Sequence, residues 1–161
     1  MSKELKDEES LIVRRIKEGT VIDHITAGRA LRVLEILGIR GEADNVVTVA
    51  INVPSHKLGK KDIVKIEGRF LSADETNKIA LIAPHATINI IRGYRVVQKR
   101  KVELPKEFVN VFRCPYPTCV SNSAAEPIVP ILVVVSADRP QLRCFYCSRI
   151  IEVEDIIRQI V

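Results

Sequence analysis

Cys114-Pro-Tyr-Pro-Thr-Cys119 and Cys144-Phe-Tyr-Cys147 contain all four cysteines of this 161-residue chain. Each stretch holds two thiols close together, and residues 120–143 separate the two pairs. This spacing is typical of a zinc site to which each of two loops contributes two ligands. Because four thiolates complete the tetrahedral coordination of Zn2+, no position remains for water or a substrate. The sequence therefore predicts one structural Zn2+ per chain, bound by Cys114, Cys119, Cys144 and Cys147.

Paired cysteines have two other common uses, a redox couple and a disulfide. The Cys144-x-x-Cys147 pair alone could be a redox couple, but two pairs with no cysteine left over favour a metal. Residues 1–10 are charged and lack the apolar segment of a signal peptide, and no apolar run approaches the roughly 20 residues of a membrane span. These features predict a reduced, cytoplasmic protein, in which paired thiols favour metal over disulfides.

Charge and proline divide the chain into parts. Residues 1–106 carry 20 Lys/Arg and 14 Asp/Glu, a net +6, whereas residues 107–161 carry 5 and 6, a net −1. The charged segment 99–107 contains Pro105 and predicts a domain boundary. We therefore expect a mobile tail over 1–10, a first domain over 11–102 and a zinc domain over 103–161. The second domain is short, so a metal is expected to support its small core.

The order of elements in the first domain predicts a fold. Five β-rich segments are expected to form strands, at 20–25, 45–53, 62–71, 86–91 and 94–99. A first helix is expected after Thr26 as its N-cap, and a second begins at the capping-box sequence Ser72-Ala-Asp-Glu75. Residues 54–61 are expected to form a loop. The order β-α-β-β-α-β, with one extra strand, is that of a ferredoxin-like domain.

The predicted fold class is therefore α+β. It consists of a ferredoxin-like antiparallel sheet with two helices, followed by a small β-rich domain with a four-cysteine zinc site. The chain ends in an apolar segment, 153–161, whose Ile156, Ile157 and Ile160 are expected to share one face of a final helix or strand.

The sequence carries no recognisable catalytic motif. It lacks a glycine-rich phosphate loop of the usual kinds, a Gly-x-Ser-x-Gly elbow and a His-Glu-x-x-His helix. We therefore expect no enzymatic activity.

Basic residues of the first domain gather in two groups, at 57–65 and at 92–101. Such groups are usually solvated surface. They would also suit phosphate oxygens, with His24 donating to a phosphate and Asp23 meeting a ribose hydroxyl.

A nucleic-acid-binding zinc-ribbon protein is the alternative, since small four-cysteine zinc modules are frequent in that class. The zinc domain is slightly acidic, whereas contact with a phosphate backbone requires a basic surface. Aromatic residues are only 4% of the chain, and tryptophan is absent, so stacking platforms for bases are scarce. Both features weigh against the alternative.

The chain resembles the regulatory subunit of aspartate carbamoyltransferase from about Leu11 to the C-terminus. The four-cysteine spacing and the block Lys17-Glu-Gly-Thr-Val-Ile-Asp-His-Ile25 together form a specific combination. Further matching stretches are Asn52-Val-Pro-Ser55, Gly59-Lys-Lys-Asp-Ile-Val-Lys-Ile-Glu67, Phe70-Leu-Ser72, Ala83-Pro-His-Ala-Thr-Ile-Asn89, Tyr94-Arg-Val-Val97 and Asn110-Val-Phe-Arg-Cys-Pro115.

The resemblance implies a non-catalytic regulatory subunit in pyrimidine biosynthesis. Its N-terminal domain would bind nucleoside triphosphates such as CTP and ATP and would form a homodimer. Its zinc domain would hold the catalytic subunit, typically with three regulatory dimers joining two catalytic trimers. No membrane or nucleic-acid partner is implied.

The resemblance also places the nucleotide contacts of the family on this chain. Lys99 and His24 would face the phosphates, and Asp23 and Lys65 would meet the ribose and base. The full set comprises Val13, Ile16, Asp23, His24, Lys65, Asn89, Tyr94, Val96 and Lys99. The chain departs from the family pattern at Arg14-Arg15, where an acidic and a small residue are usual.

Overall fold

A computed structural model describes residues 15–42 and 44–160 of the chain. The expected tail over 1–10 and the expected contact residue Val13 lie outside these ranges. The chain divides into two compact units between Val102 and Glu103. In the described part of the first unit, five strands and two helices follow one another: β1 (Glu18–Thr26), α1 (Ala30–Ile36), β2 (Val47–Ser55), β3 (Gly59–Glu67), α2 (Ala73–Ile82), β4 (Thr87–Arg92) and β5 (Arg95–Lys101).

These strands form one antiparallel sheet in the order β2-β3-β1-β4-β5. Val64, Ile22 and Ile88 lie opposite one another on the three inner strands, and each is 0% exposed. The fully buried Val33 of α1 and Ile79 of α2 complete the same apolar core. Because side chains alternate along a strand, the residues between these positions face the other side of the sheet. The predicted ferredoxin-like α+β architecture is confirmed.

The two helices begin in different ways. Helix α2 has the predicted capping box, in which the Ser72 hydroxyl accepts from the Glu75 amide and the Glu75 carboxylate accepts from the Ser72 amide. The prediction of Thr26 as the cap of α1 was wrong, because Thr26 is the last residue of β1. A buried carboxylate of β3, Asp62, instead accepts hydrogen bonds from the amides of Gly28 and Ala30, at 2.9 and 3.1 Å.

Two further expectations about segment ends were wrong. Strand β2 continues through Pro54, and only residues 56–58 form the turn to β3. Proline is tolerated here because β2 is an edge strand, whose outer side needs no amide donor. Strand β5 continues to Lys101, so the first residues of the expected connector 99–107 belong to the sheet.

The second unit is a small antiparallel sheet that ends in a helix. Its described elements are β6 (Glu107–Val109), a 3-10 turn (Val120–Asn122), β7 (Ile131–Ser136), β8 (Gln141–Cys144), β9 (Ile150–Glu152) and α3 (Val153–Ile160). The strand order is β6-β7-β8-β9. Leu132, Leu142, Ile151 and Ile156 form a core in which each is 0% exposed. The apolar C-terminal segment is thus a helix that seals this core through Ile156. Among all helices of the described residues, none is long and apolar enough to cross a membrane.

Candidate ligand pocket and metal centre

One row of side chains crosses four strands of the first unit, on the sheet face opposite the apolar core. Val21 lies opposite Lys65 on one side and Asn89 on the other, and Asn89 lies opposite Lys99. Directly opposed residues of antiparallel strands project to the same face and have Cβ atoms about 5 Å apart. Strand register therefore places two ammonium groups and a carboxamide along one polar row.

A cavity of about 430 Å³ lies over this row. Six of the expected contact residues line it: Ile16, Lys65, Asn89, Tyr94, Val96 and Lys99. Arg15, Val21 and Ile91 also line it and were not predicted. Val21 and Ile91 could have been found from strand register, since they alternate with core residues on β1 and β4. The signal for Arg15 was the unusual Arg14-Arg15 pair.

The expected residues Asp23 and His24 occupy an irregularity of β1 next to the cavity. The register of β1 against β3 shifts between Ile22 and Ile25, and His24 has a positive φ of 55°. The Asp23 carboxylate accepts a 2.6 Å hydrogen bond from the His24 amide. The His24 ring lies 3.2 Å from the Thr87 hydroxyl, and Thr87 shares the face of Asn89, two residues along β4. The bulge thus turns the imidazole towards the face that carries the polar row.

Lys61, from the basic group at 57–65, lies beside Asp23 and was not among the contact residues that the resemblance implied. Its ammonium group lies 2.9 Å from the Asp23 carboxylate. Burial would raise the pKa of Asp23, but the hydrogen bonds from Lys61 and from the His24 amide outweigh burial and lower the pKa below 3.8. Asp23 is therefore ionised at neutral pH and holds Lys61 beside His24.

Burial and lysine charges both act on the His24 imidazole. Burial, together with the charges of Lys61, Lys57 and Lys99, holds the pKa of His24 below 6.5 and outweighs the attraction of Asp23. The pKa of Lys65 is likewise lowered, by burial first and then by the charge of Arg15. Groups whose cationic forms repel one another gain stability when an anion arrives between them. This electrostatic pattern suits a polyanionic ligand.

The opposite end of the cavity is formed at the β4–β5 hairpin. Gly93 and Tyr94 make its two-residue turn with positive φ values of 58° and 64°, the conformation of a type I′ turn. The Tyr94 amide donates to the Lys17 carbonyl at 3.1 Å. The Arg15 guanidinium donates to the Tyr94 carbonyl at 3.3 Å. This end therefore combines an aromatic ring, apolar walls and a guanidinium held by backbone.

The four cysteines of the second unit meet in one cluster. The Sγ atoms of Cys114 and Cys147 are 3.7 Å apart, as are those of Cys119 and Cys144, and all four lie within 4.8 Å of one another. Tetrahedral Zn2+ with bonds of about 2.3 Å places its sulfur ligands about 3.8 Å apart. A disulfide would require about 2.05 Å. The cluster therefore has the dimensions of a four-thiolate zinc site.

Short loops hold the thiols in place. The Asn122 side chain donates to the carbonyls of Cys114 and Tyr116, at 2.9 and 2.8 Å, which closes the first loop. The second loop turns at Ser148, whose amide donates to the Cys144 carbonyl at 2.9 Å. Burial raises the pKa of Cys114. For Cys119, hydrogen bonds from Ser121 outweigh burial and lower the pKa to about 7, which favours the thiolate that a metal binds.

The surface next to the cysteine cluster is apolar. Phe145, between the cysteines of the second pair, is 61% exposed and packs edge to face on Tyr146. The other large exposed apolar side chains of this unit include Val109, Val111, Val120, Val129, Val135 and Ile150. Exposed aromatic and aliphatic groups of this kind are typical of a contact surface for another protein.

Comparison with known proteins matches both units. A family model described as aspartate carbamoyltransferase regulatory chain, allosteric domain, matches residues 11–103. A model described as the metal binding domain of the same chain matches residues 106–157. The aspartate carbamoyltransferase regulatory chain of Korarchaeum cryptofilum is 57% identical over 152 residues, 94% of this chain and 97% of the relative.

Two other relatives with the same name have similar sequence identity and coverage. That of Cenarchaeum symbiosum is 56% identical over 146 residues, 91% of this chain and 95% of the relative. That of Methanothrix thermoacetophila is 58% identical over 142 residues, 88% of this chain and 92% of the relative. These matches confirm the resemblance drawn from the sequence motifs, and the metal-binding model agrees with the sulfur cluster.

Proposed function

The chain belongs to the family of aspartate carbamoyltransferase regulatory chains, a non-catalytic subunit with one structural zinc site, and from that premise we propose that it binds nucleoside triphosphates such as CTP and ATP in the cavity of its first unit and transmits their effect to the catalytic subunit. The observation that carries the proposal is the convergence of Lys65, Asn89 and Lys99 on one side of the sheet, at the floor of a cavity.

The phosphates belong at the end of the cavity where cations gather. Lys99 lines the cavity, and its charge adds to the effect of burial in lowering the pKa of His24. Lys61 adds a third cationic group, held there by Asp23. A triphosphate carries several negative charges, so its hydrogen bonds to these cations are charge-assisted. Such bonds are stronger than those between neutral groups. The negative charge of the triphosphate would offset the burial and the lysine charges that lower the pKa of His24.

The base and ribose belong at the hairpin end. Ile16, Tyr94 and Val96 offer apolar surface for a planar base. Asn89 can both donate and accept, and Lys65 donates, so both can read the polar edge of a base or a ribose hydroxyl. Asp23 lies with His24 at the phosphate end and would accept from a hydroxyl on the part of the ribose nearest the phosphates. Val13 remains a predicted contact outside the described residues.

The second unit supplies the contact with the catalytic subunit, with its folded state maintained by Zn2+ on the four cysteines. Phe145 and Ile150 lie on loops and a strand next to that cluster, so metal binding fixes the shape of the apolar surface. We propose this surface as the docking site. Paired thiols that bind metal are typical of reducing compartments, which supports a cytoplasmic location for the proposed complex.

A homodimer through the first unit would join two sheets at an edge strand. The described edges are β2 and β5. β5 carries Arg95, Lys99, Arg100 and Lys101, so antiparallel self-pairing would bring like charges together. β2 has the sequence Val-Thr-Val-Ala-Ile-Asn-Val-Pro-Ser without a charge. We propose residues 47–53 of β2, before the proline, as the edge that pairs with its twin.

Calorimetry on the zinc-loaded chain tests the nucleotide site. Lys99→Ala and His24→Ala should each weaken CTP or ATP binding by about 1–3 kcal/mol, the range for a lost charged hydrogen-bond partner. Lys78→Ala, on α2 beyond the cavity, is the matched control and should bind as wild type does. If both site variants bind triphosphate unchanged, the assignment is wrong.

Assembly tests the regulatory role. Mixed with a cognate catalytic trimer, the chain should form a larger complex, whose aspartate affinity changes with nucleotide by about 1–3 kcal/mol of coupling free energy. The coupling should be reciprocal in the binding equilibria. Tight, salt-sensitive binding of DNA or RNA without assembly would instead support the nucleic-acid alternative.

A further inference from the structure

Arg15 lines the cavity and is hydrogen-bonded to the hairpin turn. It precedes β1, yet its guanidinium donates to the Tyr94 carbonyl in the β4–β5 turn. That carbonyl is itself held in place, because the Tyr94 amide is bonded to Lys17 and the turn has only two residues. The guanidinium has five N–H donors and no acceptor, and the bond to Tyr94 uses only one of these donors.

Arg15 lies at the end of the cavity away from the phosphate-binding cations. The hairpin turn adjoins the pairing of Glu18 with Arg92, whereas Asp23 pairs with Thr87 beside His24. At the usual rise, three steps along β1, about 10 Å, separate Glu18 from Val21, whose row contains Lys99, and five steps, about 17 Å, separate Glu18 from Asp23 beside His24. If His24 and Lys99 hold the phosphates of a nucleotide, its base rather than its phosphates lies towards Arg15.

The donors at this end restrict which base fits. Arg15 and Lys65 can only donate, and a guanidinium fork prefers two adjacent acceptors. Guanine presents such a pair, O6 and N7, whereas adenine presents N7 beside the donor N6. Cytosine of a free nucleotide presents O2 and N3. In uracil, each carbonyl oxygen lies beside the N3–H donor.

We propose, on the basis of the function proposed above, that Arg15 determines the base selectivity of this cavity by favouring nucleotides of guanine and cytosine over those of adenine and uracil. The guanidinium approaches the paired acceptors of the base while the phosphates rest at Lys99 and His24. Arg15 is thus a specificity residue at the hairpin end, and GTP joins CTP as a ligand of this site.

The test measures binding of GTP, CTP, ATP, UTP and inorganic triphosphate by the zinc-loaded full chain. Arg15→Ala should weaken GTP and CTP by about 5- to 100-fold, the range for a lost bidentate base contact, and should change ATP and UTP by less than about 3-fold. Arg15→Lys keeps the charge but not the fork, so it too should lose the preference. Arg95→Ala, an equal charge change outside the cavity lining, should retain it.

Each other outcome overturns the assignment. If Arg15→Ala weakens all four nucleotides and inorganic triphosphate equally, Arg15 contacts phosphate. If Arg15→Lys retains the base preference of wild type, that preference depends on the positive charge and not on the guanidinium fork. If the wild type binds the four nucleotides equally, no selectivity exists to explain. If it binds none of them, the proposed function fails first, and the role of Arg15 fails with it.

Discussion

Removal of the Asp62 carboxylate should unfold the start of α1 and loosen the first unit. Asp62 is 0% exposed, and its two oxygens accept from three backbone amides, those of Gly28, Ala30 and Asn52 at 2.9, 3.1 and 3.0 Å. Asn52 has a positive φ of 60° at a register shift of β2. One side chain of β3 therefore fixes both a helix start and a β-bulge.

The three hydrogen bonds to Asp62 determine how much its removal lowers the free energy of unfolding. A buried amide left without a partner costs about 1–3 kcal/mol. Ala30 is fully buried, whereas Gly28 and Asn52 are exposed, so water can reach their amides in part. We expect Asp62→Ala to lower the free energy of unfolding by about 3–5 kcal/mol in total. Asp62→Asn keeps one acceptor oxygen but places its NH2 group against a backbone amide donor. We expect it to lower the free energy of unfolding by about 1.5–3 kcal/mol.

Urea unfolding of the zinc-loaded chain, followed by hydrogen exchange at the amides of α1 and β2, measures this effect. Asp74→Asn is the control, since Asp74 lies exposed in the first turn of α2 and should contribute less than about 1 kcal/mol. The reasoning is refuted if Asp62→Ala changes the free energy of unfolding by less than about 1 kcal/mol, or if the amide of Ala30 stays as protected as in wild type.

Three other perturbations follow from the two sites. Cys144→Ser should abolish zinc binding, unfold residues 107–161 and prevent assembly with the catalytic subunit. Hydrogen-exchange protection in the first unit should stay unchanged. Metal analysis and size-exclusion chromatography measure these effects, and normal assembly would contradict the prediction. Lys61→Ala should raise the pKa of His24, because the charge of Lys61 is one cause of its lowering; an NMR titration of the ring measures the shift, and an unchanged or lower pKa would be inconsistent with the geometry. The pKa of free His24 lies below 6.5 and should rise when a triphosphate binds, so affinity should increase as the pH falls from about 8 towards 5. The titration of the nucleotide itself is common to wild type and His24→Gln, so the difference between their pH profiles isolates the ring, and superimposable profiles would exclude its role.

Sequence patterns predicted most of the first unit because its strands and α2 carry local signals. The capping box at Ser72 needs only residues within one turn, and it forms as expected. The start of α1 could not be predicted in this way, because its cap is supplied by Asp62, 32 residues beyond Ala30. Thr26 has a suitable side chain, but strand pairing with Lys61 takes it into β1.

The candidate site shows the same division between local and distant signals. Cysteine spacing alone predicted the metal cluster, because both pairs lie on short loops. The polar row over Val21 depends on the register of four strands, which no local pattern fixes. The sequence grouped Lys61 with other basic residues but gave no sign that it pairs with Asp23, because that position depends on the bulge at His24. The bulge in turn requires a positive φ at a non-glycine residue, for which the sequence carries no clear signal.

Burial and the charges of Lys57, Lys61 and Lys99 disfavour protonation of His24, so the unliganded site carries repulsion among its basic groups. A bound triphosphate neutralises this repulsion and adds its own binding free energy to the folded state, about 2.7 kcal/mol when its concentration is 100 times the dissociation constant. The cellular nucleotide supply would therefore act on the lifetime of this chain as well as on its regulatory state. When nucleotides are scarce, the unliganded first unit opens more often, and proteolysis removes the subunit sooner.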